Sequence, residues 1–288
     1  MHPQALFNLF GKGVYLYGIC IGIGLVTCIL FFFYFTKKRN MPQNVQDFSF
    51  FVAIGAIALG FLFAKLFQTF YNWIDTGKWN FYSAGITVMG GLIGGAVSFI
   101  ALYFLGGKLI FKGALSGIHL KHFKTILIVA PLCILVAHAF GRIGCLTAGC
   151  CHGTYLGKEY VFGGIYMKGG SGWGFYVPTQ LYEALFLFIA FGVLSYLLIK
   201  KNATFTMPAY LISYGVFRFI IEFVRDDYRG FSGFMSPSQW TSVIFILIGL
   251  GYIAFMVVRK IPFIEKPMEV EAVASDSDRE EQASPKSE

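Results

Sequence analysis

The sequence predicts an all-α integral membrane protein: seven transmembrane helices, the N-terminus outside and the C-terminus in the cytoplasm. Three observations carry that prediction. Of 288 residues, 56% are hydrophobic and only 13% charged, about half the charged share of a soluble domain, so polar groups cannot cover a globular surface. Seven apolar runs approach the ~20 residues that cross a bilayer. Lys and Arg gather in alternate connecting segments, which fixes orientation through the positive-inside rule.

The runs are Val14–Phe35, Phe50–Phe70, Gly85–Leu105, Thr125–Phe140, Leu181–Ile199, Pro208–Val224 and Val243–Val258. The fourth and sixth are shorter and carry polar ends. The first is too long for a signal-peptide core, and no basic segment precedes it. Bases follow the first span (Lys37, Lys38, Arg39), the third (Lys108, Lys112, Lys121, Lys124), the fifth (Lys200, Lys201) and the seventh (Arg259, Lys260). Residues 1–260 therefore form a membrane domain with an outer-face segment, 141–179; Asp226–Pro237 falls on the same face. Residues 261–288 form an acidic cytoplasmic tail without apolar periodicity, predicted to be disordered. The body is basic because of its loop charges, so nucleic acid is not a partner. Small residues four apart (Gly18 and Gly22, Gly90 and Gly94, Gly91 and Gly95) suit close helix packing.

Polar residues inside the spans carry the functional information, because each is costly in lipid. Tyr214, Arg218, Glu222 and Arg225 are spaced four, four and three apart, on one helical face. They form either an ion network that locks helices together or, with more Arg than Glu, a site for an anion. His138 and Arg142 share a face one turn apart, beside Gly141, Gly144 and Gly149, where the chain can break. An Arg at a glycine-rich helix end suits an oxyanion; His138 is either a base or a hydrogen-bonded core histidine. Gln180 and Glu183 open the fifth span, as ligands or as groups that complement the helix dipole. Lys65, well inside the second span, either snorkels to the surface or pairs with Glu183 or Glu222.

Six cysteines occur. Cys20, Cys28 and Cys133 lie within spans as small apolar residues. Cys145, Cys150, Cys151 and His152 cluster in the outer segment. A disulfide from Cys145 to Cys150 or Cys151, a zinc site, and plain packing all remain open.

The motif order resembles the prolipoprotein diacylglyceryl transferase family from about Val14 to Lys260. The resemblance rests on Tyr17-Gly18, Gly90-Gly91-Leu92-Ile93-Gly94, and Ala130-Pro131-Leu132 leading to Gly141-Arg142-Ile143-Gly144. It continues through Gln180-Leu181-Tyr182-Glu183 and Tyr214-Gly215-Val216-Phe217-Arg218 to Ser238-Gln239. The family implies seven membrane helices in the bacterial plasma (inner) membrane. It implies transfer of a diacylglyceryl group from phosphatidylglycerol to the lipobox cysteine of a prolipoprotein signal peptide, with membrane lipids around it. Its essential positions map to Arg142 and Arg218, with Tyr17, Tyr214, Gly153 and Glu222 in support; Gln180, at the start of the fifth span, is a further candidate substrate-binding residue. Where the family commonly has a catalytic His before the glycine run, this chain has Met89. Where it has Asn, Asn and Glu after the Gly-Arg core, this chain has Cys145, Ala148 and Cys150. The pattern is that of a cysteine-type branch.

The chemistry follows from the groups. A thiol attacks carbon three of the glyceryl unit and a phosphate ester leaves as an anion, so the leaving group needs positive charge, which Arg142 and Arg218 supply. The nucleophile is the thiolate; with Met89 unable to accept a proton, His138 is the remaining imidazole near an essential-looking Arg, the alternative being no dedicated base and a thiol pKa lowered by the field of the arginines. This scheme requires no cofactor and no metal. The competing readings are a diverged member that binds or moves another lipid, and a small transporter whose Arg and Glu line an ion path.

Overall fold

A computed structural model describes residues 5–9, 11–83, 85–169, 171–225 and 234–265. Among these, seven helices are long and apolar enough to cross a membrane. Strands β1 (Phe7–Leu9) and β2 (Lys12–Val14) form an antiparallel hairpin turned at Gly11, which takes a positive φ of 76°. The chain then enters α1 (Leu16–Lys38) and α2 (Gln43–Thr76). The third span is α3 (Val88–Ala101), a π-helical turn at Leu102–Gly106, and α4 (Gly107–Ile110). The fourth is α5 (Ile118–Ala148). After a small sheet come α6 (Thr179–Lys201), α7 (Thr206–Ile221) with a final 3-10 turn at Glu222–Val224, and α8 (Pro237–Val258).

The helices overrun the apolar runs at most ends. The runs mark what lies in hydrocarbon, whereas backbone hydrogen bonding carries a helix on into polar sequence. The difference matters most in α5. The break anticipated at Gly141 and Gly144 does not occur; the helix continues to Ala148 and is stopped by Gly149 in the left-handed conformation, φ 73°. Neighbouring helices tolerate the glycines, and Gly144 has a packing reason. A Cβ there would stand 3.0 Å from the Tyr17 ring and 3.3 Å from its carbonyl oxygen. Pro131 also sits inside α5, and the Thr206 hydroxyl donates to the Ile128 carbonyl on that turn at 2.6 Å.

Helix α5 is the axis of the fold. It packs along α1 and α6 and touches α7, while α2 pairs with α3 and α7 with α8. The main apolar core, including Phe35, Leu132, Leu135, Leu187 and Tyr210, joins α1, α5, α6 and α7. Glycines set the closest approaches: Gly91 and Gly95 face Gly60 and Ala64 of α2, and Gly90 and Gly94 seat Phe67 and Phe63. The Gly18–Gly22 pair departs from the expectation, since neither meets a neighbouring atom. Gly24 takes that role instead, against Ala137 and Phe140.

The segment between α5 and α6 contains three short antiparallel strands, β3 (Tyr155–Gly157), β4 (Ile165–Gly169) and β5 (Gly172–Tyr176), with β5 central. Met167 and Tyr176 are buried beneath it. Gly153, at its base, bridges to Arg225, and Thr154 N donates to Val224 O at 3.0 Å. At the opposite end, Glu265 binds both Arg39 and Lys124, and Thr204 N donates to Phe263 O at 2.9 Å. The predicted disordered tail beyond Glu265 and most of Asp226–Pro237 lie outside the described residues.

Candidate functional site

Three helices converge on one buried carboxylate. Glu183, one turn into α6, has a side chain with no solvent exposure. Arg142 of α5 reaches its Oε1 at 2.9 Å, and the Tyr214 hydroxyl of α7 donates to the same oxygen at 2.9 Å. His138 Nε2 lies 3.5 Å from that oxygen, with its ring edge-on to Tyr214. On the other side, Arg218 Nη1 and Arg225 Nη1 stand 3.8 and 4.0 Å from Oε2. The i, i+4 spacing of His138 and Arg142 on α5, and of Tyr214 and Arg218 on α7, aims both pairs at the same oxygens.

A second carboxylate completes the network. Glu222 pairs with Arg218 at 2.8 Å and lies 4.0 Å from Arg225. It also accepts from the Ser236 hydroxyl at 3.0 Å. Ser236 caps α8 in a reciprocal capping box with Gln239, so the start of α8 is rigidly tied to the site. Arg218 Nη2 donates to Ser238 at 3.0 Å. Among the described residues, the guanidiniums of Arg142, Arg218 and Arg225 thus face the carboxylates of Glu183 and Glu222. Among the described residues, Arg142 Nε and Arg218 Nη1 have no hydrogen-bond partner. Glu183 Oε2 and Glu222 Oε2 are likewise without one, and buried guanidinium N–H groups of this kind suit an anion, since guanidinium forks match phosphate geometry.

The structure brings together every polar residue that spacing had placed on a common face. Glu183 is the residue the sequence reading undervalued: an acid at a helix start resembles a dipole partner, and its central role is tertiary. Its signal was its place inside an apolar span, where ionisable groups are expensive. Lys65 does not pair with it or with Glu222; it lies 5.0 Å over the Phe81 ring.

The supporting positions have distinct jobs. Gln180 is fully buried and its Nε2 donates to the Cys150 carbonyl at 2.5 Å, while Thr179 donates to the Cys151 carbonyl at 2.8 Å. Gly153 is needed for close backbone approach: a Cβ there would come within 2.5 Å of Val224 O and 2.9 Å of Thr179 Cγ2. Tyr17, partly exposed, packs on Gly144 of α5.

Cys145, Cys150 and Cys151 are free thiols whose sulfurs lie within 4.8 Å of one another. Cys145 is three residues beyond Arg142 on the same helix. Hydrogen bonds from the Cys145 and Cys150 thiols, and then the charges of Arg225 and Arg142, hold the Cys151 thiol well below its usual range. The same thiol hydrogen bonding pushes Cys150 up.

A family model described as prolipoprotein diacylglyceryl transferase matches residues 4–255. A Clostridium perfringens protein named phosphatidylglycerol–prolipoprotein diacylglyceryl transferase 2 is 32% identical, covering 85% of this chain and 91% of its own length. The Clostridium tetani protein named phosphatidylglycerol–prolipoprotein diacylglyceryl transferase is 31% identical over 85% and 94% of the two chains. A Streptococcus sanguinis protein of the same name is 29% identical over 87% and 94%.

Proposed function

The chain belongs to the prolipoprotein diacylglyceryl transferase family, and from that premise we propose how this multi-pass membrane protein does its work. It transfers the diacylglyceryl group of phosphatidylglycerol to the lipobox cysteine of a prolipoprotein. The acceptor sulfur attacks carbon three of the glyceryl unit, a thioether forms, and glycerol phosphate departs.

The observation that carries the reading is the pair of buried guanidiniums, Arg142 and Arg218, that two helices aim at Glu183. The departing phosphate is already anionic, so its stabilisation requires preorganised positive charge rather than a proton. Arg142 and Arg218 hold that phosphate. Glu183, itself held by the Tyr214 hydroxyl, fixes Arg142, while Glu222 and Ser238 fix Arg218. His138 takes the proton of the acceptor thiol, because Glu183 lies beside its imidazole while 29% of its side chain stays accessible. Gln180 and Gly153 hold the backbone that frames the site, and Tyr17 lines its α1 side.

The site opens outward in this reading, with the N-terminus outside, the tail in the cytoplasm and the chain in the bacterial plasma (inner) membrane. Support comes from Arg39 and Lys124, from two of the base-rich loops, which meet Glu265 at the end opposite the sheet. The test is complementation of a strain depleted of its own diacylglyceryl transferase. Restored growth and lipid labelling of lipoproteins are expected. Absence of labelling despite full membrane insertion would overturn the assignment.

A further inference from the structure

We propose that Cys145, Cys150 and Cys151 bind one zinc ion whose fourth position takes the acceptor thiol. This deepens the transferase reading and rests on it. The first ground is distance. Zn–S bonds of about 2.3 Å put tetrahedral sulfurs about 3.8 Å apart. Three sulfurs within 4.8 Å of one another reach that spacing when each moves inward by at most about 0.6 Å. A disulfide would need one pair at about 2.05 Å and would leave the third sulfur without a function.

The second ground is the backbone. Adjacent cysteines are poor chelators in ordinary conformations. Here Gly149 and Cys151 both have positive φ, 73° and 61°, and Cys151 does so although side chains rarely adopt that region. Two fully buried side chains pin this turn: Gln180 on the Cys150 carbonyl and Thr179 on the Cys151 carbonyl. The turn is therefore built to gather the sulfurs. Cys150 is exposed, so a ligand can approach from solvent.

The third ground is position. Cys145 follows Arg142 by three residues on α5, and Gln180 precedes Glu183 by three on α6. The thiol cluster and the guanidinium cluster are thus one turn apart on both helices. Three thiolates and a divalent zinc carry one net negative charge, a sign that suits a place one turn from the guanidinium cluster.

Three protein ligands with an open fourth position are the ligand count of a catalytic zinc site, and a thiol that binds the metal is deprotonated outright. The acceptor S–H loses its proton to water and thence to His138, and the sulfur binds zinc as a thiolate. The sulfur pair then forms the S–C bond as the C–O bond to phosphate breaks, and the oxygen keeps its electrons as glycerol phosphate leaves. No oxidant or reductant is consumed.

The test uses the full-length protein in detergent, exposed to zinc chloride and washed. Elemental mass spectrometry should find one zinc per chain. Cys145→Ser should lose most of it, as should Cys151→Gly, which keeps the backbone conformation while removing the thiol. With cobalt in place of zinc, a lipobox peptide should intensify the thiolate-to-metal absorption, and its Ser analogue should not. Chelation should stop thioether formation and zinc should restore it. A metal-free protein, zinc unaffected by both variants, a Cys145 disulfide in protein isolated without reductant, or full transfer after chelation would each overturn the proposal. Full transfer without metal sinks the zinc site and leaves the transferase reading standing. Zinc bound and cobalt answering the peptide, with phosphatidylglycerol inert as donor, does the reverse.

Discussion

Replacing Glu183 with Gln is the most informative single perturbation of the buried network. The side chain keeps its shape, and its amide oxygen can still accept from Arg142 and Tyr214, each 2.9 Å away in the native site. What disappears is the charge that balances Arg142, whose side chain is only 13% exposed. Breaking a buried pair by removing one partner costs about 3–5 kcal/mol. Because the oxygen is retained and Glu222 still serves Arg218, the low end applies, about 3 kcal/mol. If that loss falls on the positioning of the phosphate-binding arginines, it corresponds to roughly 10²-fold in kcat/KM. The assay is thioether formation on a lipobox peptide with phosphatidylglycerol donor, expressed per folded molecule, alongside a melting curve in detergent. A hundredfold loss of rate with a lower melting temperature is expected. Wild-type rate and wild-type melting in Glu183→Gln would refute the claim that this carboxylate organises the site.

Three further outcomes follow from the same geometry. His138→Gln should leave the protein folded and inserted while transfer falls by about two to four decades, the range of general-base loss; reduced protein level with normal rate per folded molecule would make the imidazole structural. Gly153→Ala drives a Cβ to within 2.5 Å of Val224 O, an overpacking worth about 1–3 kcal/mol. Its melting temperature should fall, and transfer with it, as the adjoining Arg225 shifts. For Glu265, burial alone would raise the carboxyl, but hydrogen bonds from Lys124 and Arg39 bring it below its ordinary value. A depressed carboxylate stabilises the fold above its unfolded pKa and loses that contribution as pH falls through the folded one. Glu265→Gln should thus lower stability near neutral pH by about 0.5–1 kcal/mol, the top of the exposed-pair range. The difference from wild type should shrink only as pH falls through the depressed folded-state value; a gap that stays constant from neutral pH until the carboxyl is fully protonated would refute the ion pairing.

The seven spans were legible because lipid demands long apolar runs, and the Tyr214–Arg218–Glu222 face because helical spacing alone puts these residues together. Helix ends were less legible: Gly141 and Gly144 read as breaks, but close packing on α1 explains Gly144 and the helix absorbs both. Gly18 and Gly22 had the spacing of a packing motif without a partner, which only the neighbouring helix can supply. The strands between Tyr155 and Tyr176 are three to five residues long, too short for an alternating pattern to register. The convergence on Glu183 needed α5, α6 and α7 in place. The gathering of the three sulfurs needed the left-handed turn at Gly149 and Cys151, which composition does not announce.

The central claim is that Arg218 and Arg142 stabilise a departing phosphate during thiol alkylation. The direct measurement is a mass-spectrometric assay with purified protein, phosphatidylglycerol and a lipobox peptide. Its readouts are the peptide thioether and free glycerol phosphate, for wild type, Arg218→Ala and Arg218→Lys. The account predicts equal amounts of both products from wild type and none from Arg218→Ala. Arg218→Lys should rescue poorly, because an ammonium lacks the bidentate fork. Full thioether formation by Arg218→Ala, or thioether formed without glycerol phosphate, would contradict it.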